Sequence, residues 1–387
     1  MSDTPHPALL PTGIHDLLPP EAEAEADAVS RLMATLAAHG YERVEPPLVE
    51  FEETLFSGAG AAMATATFRM MDPISHRMIG VRADMTPQIA RIAATRLGNA
   101  PRPLRLSYAG QVLRVKGSEI RPERQIGQVG GELIGAEGTA ADIEAIAVAG
   151  EALAALGVSH LSVDITLPTL VPAIAEAYDI GGERAAALRA ALDHKDAAAV
   201  AAIAGEAGEL LEALLAAAGP VATTLAALDR LVLPARARAE RIRLGAVLDG
   251  LTVAAPDLKV TVDPVENRGF EYHTGISFTF FAGGPSARGP LGELGRGGRY
   301  EAGDPATPEP ATGFTLYTDT ILRVLPEVIS PRRVLLPLGA DRARAGVLRR
   351  TGWVTVAALD PAGDWRAEAR RLGCSHVLEG EAPVAVD

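Results

Sequence analysis

The chain has 387 residues, 48% hydrophobic and 22% charged, a composition that excludes a mostly disordered polypeptide and a length that exceeds one ordinary hydrophobic core. Thirty-six basic residues face 49 acidic ones, a formal net charge of −13, which argues against a general nucleic-acid binder because phosphate contacts need a concentrated basic surface. A single cysteine, Cys374, excludes an internal disulfide framework and a thiolate metal cluster, and no run of about 18 apolar residues is present to span a bilayer.

The opening MSDTPHPALLPTG lacks the basic and apolar regions of a signal peptide, so a cytoplasmic protein is expected. Val29, Leu32, Met33 and Leu36 recur at helical spacing, with Glu21, Glu23 and Glu25 in the first turns and Gly40 as the stop, which predicts a helix. The extended stretch Tyr41–Glu50 contains Pro46 and Pro47, which cannot donate to a ladder, and so belongs at an edge or interface. Residues 57–66 (SGAGAAMATA) read as a mobile loop, free to close over a site; they lack the Gly-Lys-Ser/Thr ending of a P-loop. From 104 to 135 the pattern is β, with a polar hairpin tip at Lys116–Arg124. A helix over 141–156 and a short strand over 160–166 follow.

The Ala/Leu-rich stretch from about 170 to 250, broken at Gly181–Gly182 and Gly219–Pro220, predicts a helical insertion of four or five helices. Strand character resumes at LKVTVDP and GISFTFFA, and GPLGELGRGGRY reads as a glycine-rich turn. Residues 331–387 alternate strand, helix, strand, helix, strand, a small α/β module whose nine arginines against seven acids make it the least acidic part of the chain. The expected architecture is α+β: a largely antiparallel sheet flanked by helices in a core domain over 1–330, with the insertion at about 170–250 and the short module at 331–387.

Four stretches carry candidate chemistry. On the strand Gln125–Gly135, alternation places Gln128, Gly130 and Glu132 on one face, a polar floor with room above its glycine for a ligand bearing N–H donors; a solvated face with a glycine bulge would have the same pattern. Arg114 on the preceding strand is placed to hold a carboxylate or phosphate, or to make a surface ion pair. Asp84 and Thr86, at the mouth of a helix, suit an ammonium group and equally suit N-capping. Arg268 and Tyr272 crowd a loop before a β run, and in Gly297-Gly298-Arg299-Tyr300 the glycines permit close approach beside an aromatic wall. The eight histidines show no metal-ligand spacing, so no metal and no cofactor are expected, and Cys374 reads as a buried neutral thiol.

Taken together and in order, these stretches resemble the histidyl-tRNA synthetase core of the class II synthetases. The resemblance covers about residues 8–325: Gly13-Ile-His-Asp-Leu-Leu-Pro19, the helix-strand-proline dimer motif ending at Pro47, the loop Arg82–Thr86, the hairpin from Arg114 to Glu132, the run Arg268–Tyr272 and the Gly-Gly-Arg-Tyr segment. It implies a histidine pocket formed by Asp84, Thr86, Arg114, Gln128, Glu132, Arg268, Tyr272 and Tyr300. Asp84 is one methylene shorter than the synthetases' usual Glu, and His273 replaces the second member of a Tyr-Tyr pair.

The departures are as informative. Lys116 stands where the family's Arg-x-Glu carries its glutamate, and Thr320 where an arginine clamps ATP. Losing one preorganised charge donor removes roughly 3 kcal/mol of transition-state stabilisation. The 56 residues after Pro331 are fewer than the family's full anticodon-binding domain. A kept amino-acid pocket beside lost ATP and tRNA machinery resembles the ATP phosphoribosyltransferase regulatory subunits. That resemblance implies a non-catalytic chain that pairs with itself through Tyr41–Glu50, joins a short-form catalytic subunit in a hetero-oligomer, and takes L-histidine as effector, with no tRNA and no membrane. An active histidyl-tRNA synthetase and a free histidine-sensing protein are the alternatives.

Overall fold

A computed structural model describes residues 9–117, 122–266, 272–283, 292–303, 306–326 and 331–386. The chain divides into two compact units, Met1–Pro326 and Glu327–Asp387.

In chain order the first unit begins with α1 (Glu21–Ala38), which leads into β1 (Glu42–Arg43). Then come β2 (Val49–Phe51), α2 (Glu52–Leu55), β3 (Arg69–Met71), β4 (Met78–Val81) and α3 (Thr86–Thr95). The long hairpin β5 (Leu104–Leu113) and β6 (Gln125–Ile134), α4 (Thr139–Ala155) and β7 (Leu161–Thr166) follow. The insertion comprises α5 (Leu170–Ala177), α6 (Gly182–Asp193), α7 (Ala197–Ala204), α8 (Gly208–Ala216), β8 (Gly219–Pro220), α9 (Val221–Leu228) and α10 (Ala235–Ala254). The unit closes with β9 (Lys259–Asp263), β10 (Ser277–Ala282), β11 (Glu293–Ala302), β12 (Glu309–Tyr317) and α11 (Thr318–Val324).

Nine strands form one sheet in the order β1-β5-β6-β12-β11-β10-β7-β9-β8. It is antiparallel except where β1 meets β5 and β7 meets β9. The expected α+β, class II synthetase-like sheet flanked by helices is what the chain builds. One face packs α1, α4 and the insertion helices through Leu32, Leu36, Ile146, Leu153, Val163, Phe278 and Phe314. The other carries Met85 and Ile89, at and within the start of α3, against Leu106, Tyr108, Ile126 and Tyr300. Cover on both faces explains why β6 is buried along nearly its whole length instead of alternating between core and water. β2, β4 and β3 form a separate three-stranded sheet.

Four expectations are corrected. Tyr41–Glu50 does not form one strand: β1 spans two residues, and β2 belongs to the other sheet, because the intervening prolines cannot continue a ladder. Residues 58–63 form a 3-10 helix rather than an uncommitted loop. A Cβ at Gly60 would lie 2.0 Å from the Leu55 carbonyl oxygen and 3.3 Å from Pro87 Cβ, so the segment is seated closely where a side chain would not fit. The glycine-rich segment expected to turn is the strand β11: glycines at 295, 297 and 298 let it lie against its neighbours, and a Cβ at Gly297 would meet the Gly313 carbonyl oxygen at 2.2 Å and the Phe278 ring at 2.5 Å. The insertion holds six α-helices, more than composition indicated, because Lys195 takes a left-handed turn (φ 54°) that ends α6 without a glycine.

The second unit contains β13 (Arg333–Leu336), α12 (Arg342–Arg350), β14 (Val354–Ala357), α13 (Trp365–Arg371), β15 (His376–Glu379) and β16 (Ala382–Ala385). Its sheet runs β14-β13-β15-β16, parallel except for the last pair. Cys374 is buried there and its thiol pKa is raised by that burial. Among the described residues no helix is long and apolar enough to cross a membrane, and no group of three His, Cys, Asp or Glu side chains is placed to hold a metal ion.

Candidate ligand-binding site

The site lies on the sheet face that carries α3, and strand register assembles it. One row across the sheet is Leu106, Glu132, Gly313, Gly298 and Ser277; the next is Tyr108, Gly130, Thr315, Arg296 and Thr279. Gln128 stands one row further on, opposite Tyr317.

Glu132 is the centre. It is 1% exposed, and among the described residues its hydrogen bonds come from hydroxyls. Its Oε1 accepts from the Thr86 hydroxyl at 2.9 Å and the Tyr108 hydroxyl at 3.3 Å, and its Oε2 accepts from the Tyr300 hydroxyl at 2.9 Å. Burial pushes its carboxyl up to about 8, and nearby Asp84 adds to the rise, while the hydroxyl bonds from Thr86 and Tyr300 pull the other way. Tyr108 and Tyr300 are held well above the ordinary phenol value, chiefly by burial and then by Glu132, so both remain donors.

The second group centres on Asp84. Its Oδ1 accepts from the Thr86 amide at 2.9 Å, and its Oδ2 accepts from Gln128 Nε2 at 2.9 Å. Gln128 Oε1 in turn accepts from the Met85 amide at 3.1 Å, so one side-chain amide fixes both the backbone and the acid of the loop before α3. Arg114 Nη2 stands 4.0 Å from Asp84 Oδ2, and its Nε donates to the Ala83 carbonyl at 3.3 Å. Asp84 Oδ1 thus holds the first amide of α3 from outside the helix, while Oδ2 faces Gln128 and Arg114.

Tyr272 packs edge-on to Tyr300, centroids 6.1 Å apart, and stacks on His273 at 4.2 Å. The His273 ring edge covers Gly298, whose Cβ position would lie 2.5 Å from His273 Cδ2. The structure therefore brings together Asp84, Thr86, Arg114, Gln128, Glu132, Tyr272 and Tyr300; Arg268 lies outside the described residues. Arg299, next to Tyr300, faces the opposite side and is bonded to buried Asp142 and to the Ala136 and Gly138 carbonyls.

Sequence reasoning missed two side chains, Tyr108 and Arg296. The space above Gly130 is not open: a Cβ there would lie 2.4 Å from the Tyr108 hydroxyl. Tyr108 also bonds Thr315 at 2.7 Å. The alternation of LRLSYAGQV put Tyr108 in phase with Leu104 and Leu106, but only strand register shows that it covers Gly130. Arg296 was hidden by reading its strand as a turn. Where the synthetase pattern carries its ATP-clamping arginine, the Thr320 hydroxyl turns inward to the Glu293 and Tyr317 carbonyls at 2.8 and 3.2 Å. Lys116 is exposed.

Donors and acceptors arranged in this way, an acid and a guanidinium near a buried carboxyl ringed by hydroxyls, suit a small zwitterion with a polar side chain. Fold and site together define a histidyl-tRNA synthetase-like protein, and the histidyl-tRNA synthetase family pattern matches residues 13–321. The crystal structure of an ATP phosphoribosyltransferase regulatory subunit/histidyl-tRNA synthetase from Bacillus halodurans superposes with a TM-score of 0.79 at 24% identity, covering 96% of this chain and 97% of that one. Histidyl-tRNA synthetase from Nostoc superposes at 0.77 with 19% identity over 96% and 91% of the two chains; at such identities the likeness speaks for the fold alone. Closer kinship is decisive. The ATP phosphoribosyltransferase regulatory subunit of Rhodospirillum centenum is 57% identical, covering 97% of this chain and 96% of its own. That of Paramagnetospirillum magneticum is 56% identical over the whole of both, and that of Rhodospirillum rubrum 50% over 98% and 97%. The chain belongs to the ATP phosphoribosyltransferase regulatory subunit family.

Proposed function

We propose that the chain activates a short-form ATP phosphoribosyltransferase in the first step of L-histidine biosynthesis, conveys feedback by L-histidine bound at the Glu132 pocket, and catalyses neither phosphoribosyl transfer nor aminoacylation. The observation that carries this reading is identity of 46–57% over almost the entire chain to four regulatory subunits. Thr320 and Lys116 support the non-catalytic part, since neither offers the charge that the synthetase pattern places there. Self-pairing through the Tyr41–Glu50 region is supported by the apolar side chains Leu48, Val49, Met70 and Met71, which stay exposed on and beside the three-stranded sheet. We place the complex in the cytoplasm, without tRNA.

Feedback requires that histidine bind two arrangements of the complex with unequal affinity. Histidine seated over Gln128 and Glu132, with Arg114 beside it, would draw the loop before α3 onto the sheet. The test is to mix the purified chain with a cognate short-form transferase and follow formation of phosphoribosyl-ATP. Activity should rise at least tenfold on mixing and fall with histidine, and Glu132→Ala should abolish the fall. Histidine-dependent exchange of pyrophosphate into ATP by the chain alone would instead establish a synthetase. No activation with histidine binding intact would leave a free histidine-sensing protein.

A further inference from the structure

Arg296 and Glu293 are three residues apart on β11, and in an unbroken strand they would point to opposite faces. They do not, because the register against β10 slips: Phe280 pairs with Gly295 and Phe281 with Glu293, leaving Leu294 as an extra residue. Leu294 is buried in the core on the α1 and α4 side, and the bulge returns Glu293 to the face of Arg296. There the carboxylate takes Arg296 in a two-pronged bond, Nε to Oε1 at 2.5 Å and Nη2 to Oε2 at 2.6 Å. The Thr320 hydroxyl holds the Glu293 carbonyl at 2.8 Å and so anchors the bulge. Arg296 stands in the register row of Tyr108, Gly130 and Thr315, on the pocket side of the sheet. Burial disfavours its charge, but Tyr317 and Glu293 hold the guanidinium firmly protonated, and Tyr272 acts in the same sense. The bulge thus does two things at once: it seats Leu294 in the core and aims an acid at a half-buried arginine beside the pocket.

We infer that Arg296 is an anion grip of the pocket, occupied in the ligand-free chain by Glu293, which the carboxylate of the bound amino acid displaces. The exchange replaces one bidentate guanidinium–carboxylate pair with another, so Glu293 acts as an internal competitor that sets affinity and leaves for water when the site fills. This rests on the reading of the pocket as an L-histidine site.

The test is calorimetric titration of the full chain with L-histidine and with L-histidinol, which carries a hydroxymethyl group in place of the carboxylate. Arg296→Met should weaken L-histidine about tenfold or more, the worth of a charge-assisted bond, and leave L-histidinol within about twofold. Glu293→Gln, which removes the competitor but keeps the shape, should tighten L-histidine several-fold without changing L-histidinol, a gain that a misfolded variant cannot produce. An unchanged histidine-to-histidinol ratio in both variants overturns the inference while leaving the pocket's assignment intact. Failure of the unaltered chain to bind L-histidine overturns both.

Discussion

Tyr108 on β5 and Gly130 on β6 are register partners, and the phenol of the first fills the space that any side chain of the second would need. The glycine is therefore a seat for the tyrosine that donates to Glu132. A methyl at 130 would lie 2.4 Å from the Tyr108 hydroxyl and equally close to the Phe314 carbonyl oxygen, so the buried Tyr108 ring and the Phe314 backbone must both shift to admit it. Gly130→Ala should destabilise the chain by about 1–3 kcal/mol. It should also abolish the rise in Tm on adding L-histidine, read by thermal denaturation with and without the ligand.

Glu132 gives the chain a signature in pH. Its carboxyl titrates near 8 when folded and near the ordinary carboxylate value when unfolded. Between those values the folded state holds the proton that the unfolded state has released, so stability falls as pH rises. The contribution is greatest below the usual carboxylate range and is lost as pH climbs through about 8. Glu132→Gln, neutral at every pH, should flatten the decline between pH 5 and 8 by a few kcal/mol in urea titrations at stepped pH. An equal slope in both proteins would mean that another group sets it.

Gln128 links two parts of the site, since its amide bonds both Asp84 and the Met85 backbone. Gln128→Ala leaves the buried Met85 amide without its acceptor, at about 1–3 kcal/mol in stability. It also frees Asp84 to move toward Arg114. The histidine-induced shift in Tm should shrink beyond what the lower baseline explains, and Gln128→Glu should be worse than Ala because it sets a second carboxylate beside Asp84.

Much of this was legible from residues alone, and the remainder has physical reasons. The hairpin of β5 and β6 showed in its alternation, and Gln128 and Glu132 share a face as the pleat requires. α1 followed from Leu32 and Leu36 recurring on one side. The failures cluster where tertiary packing overrides local propensity. β11 looked like a turn because glycines are poor strand formers, yet Gly295, Gly297 and Gly298 are the residues that let it lie close to β10 and β12. Arg296 was lost with that strand, and the bulge that aims Glu293 at it has no local sequence signal. Tyr108 was invisible as a site residue because only register between strands reveals what covers Gly130.

Asp142 offers the sharpest test of how the Gly-Gly-Arg-Tyr strand is held. It is 1% exposed and accepts from Arg299 Nε at 3.0 Å, the Thr312 hydroxyl at 3.0 Å and Arg243 Nη1 at 3.3 Å, tying β11 and β12 to the first turn of α4. Burial raises its pKa even though Arg299 draws it down, so the pair is strained by desolvation and satisfied only as a whole. Asp142→Ala leaves the Arg299 guanidinium, 5% exposed, with carbonyls but no counter-charge, and should cost about 3–5 kcal/mol. Replacing both partners, Asp142→Leu with Arg299→Met, removes the stranded charge and should recover a large part of that loss, because the penalty lies in the uncompensated ion. Urea midpoints of Asp142→Leu, Arg299→Met and the double variant, beside Asp142→Ala, measure it. If the double variant is as unstable as the sum of its singles, the guanidinium's bonds to Ala136 and Gly138, not the ion pair, hold the strand in place.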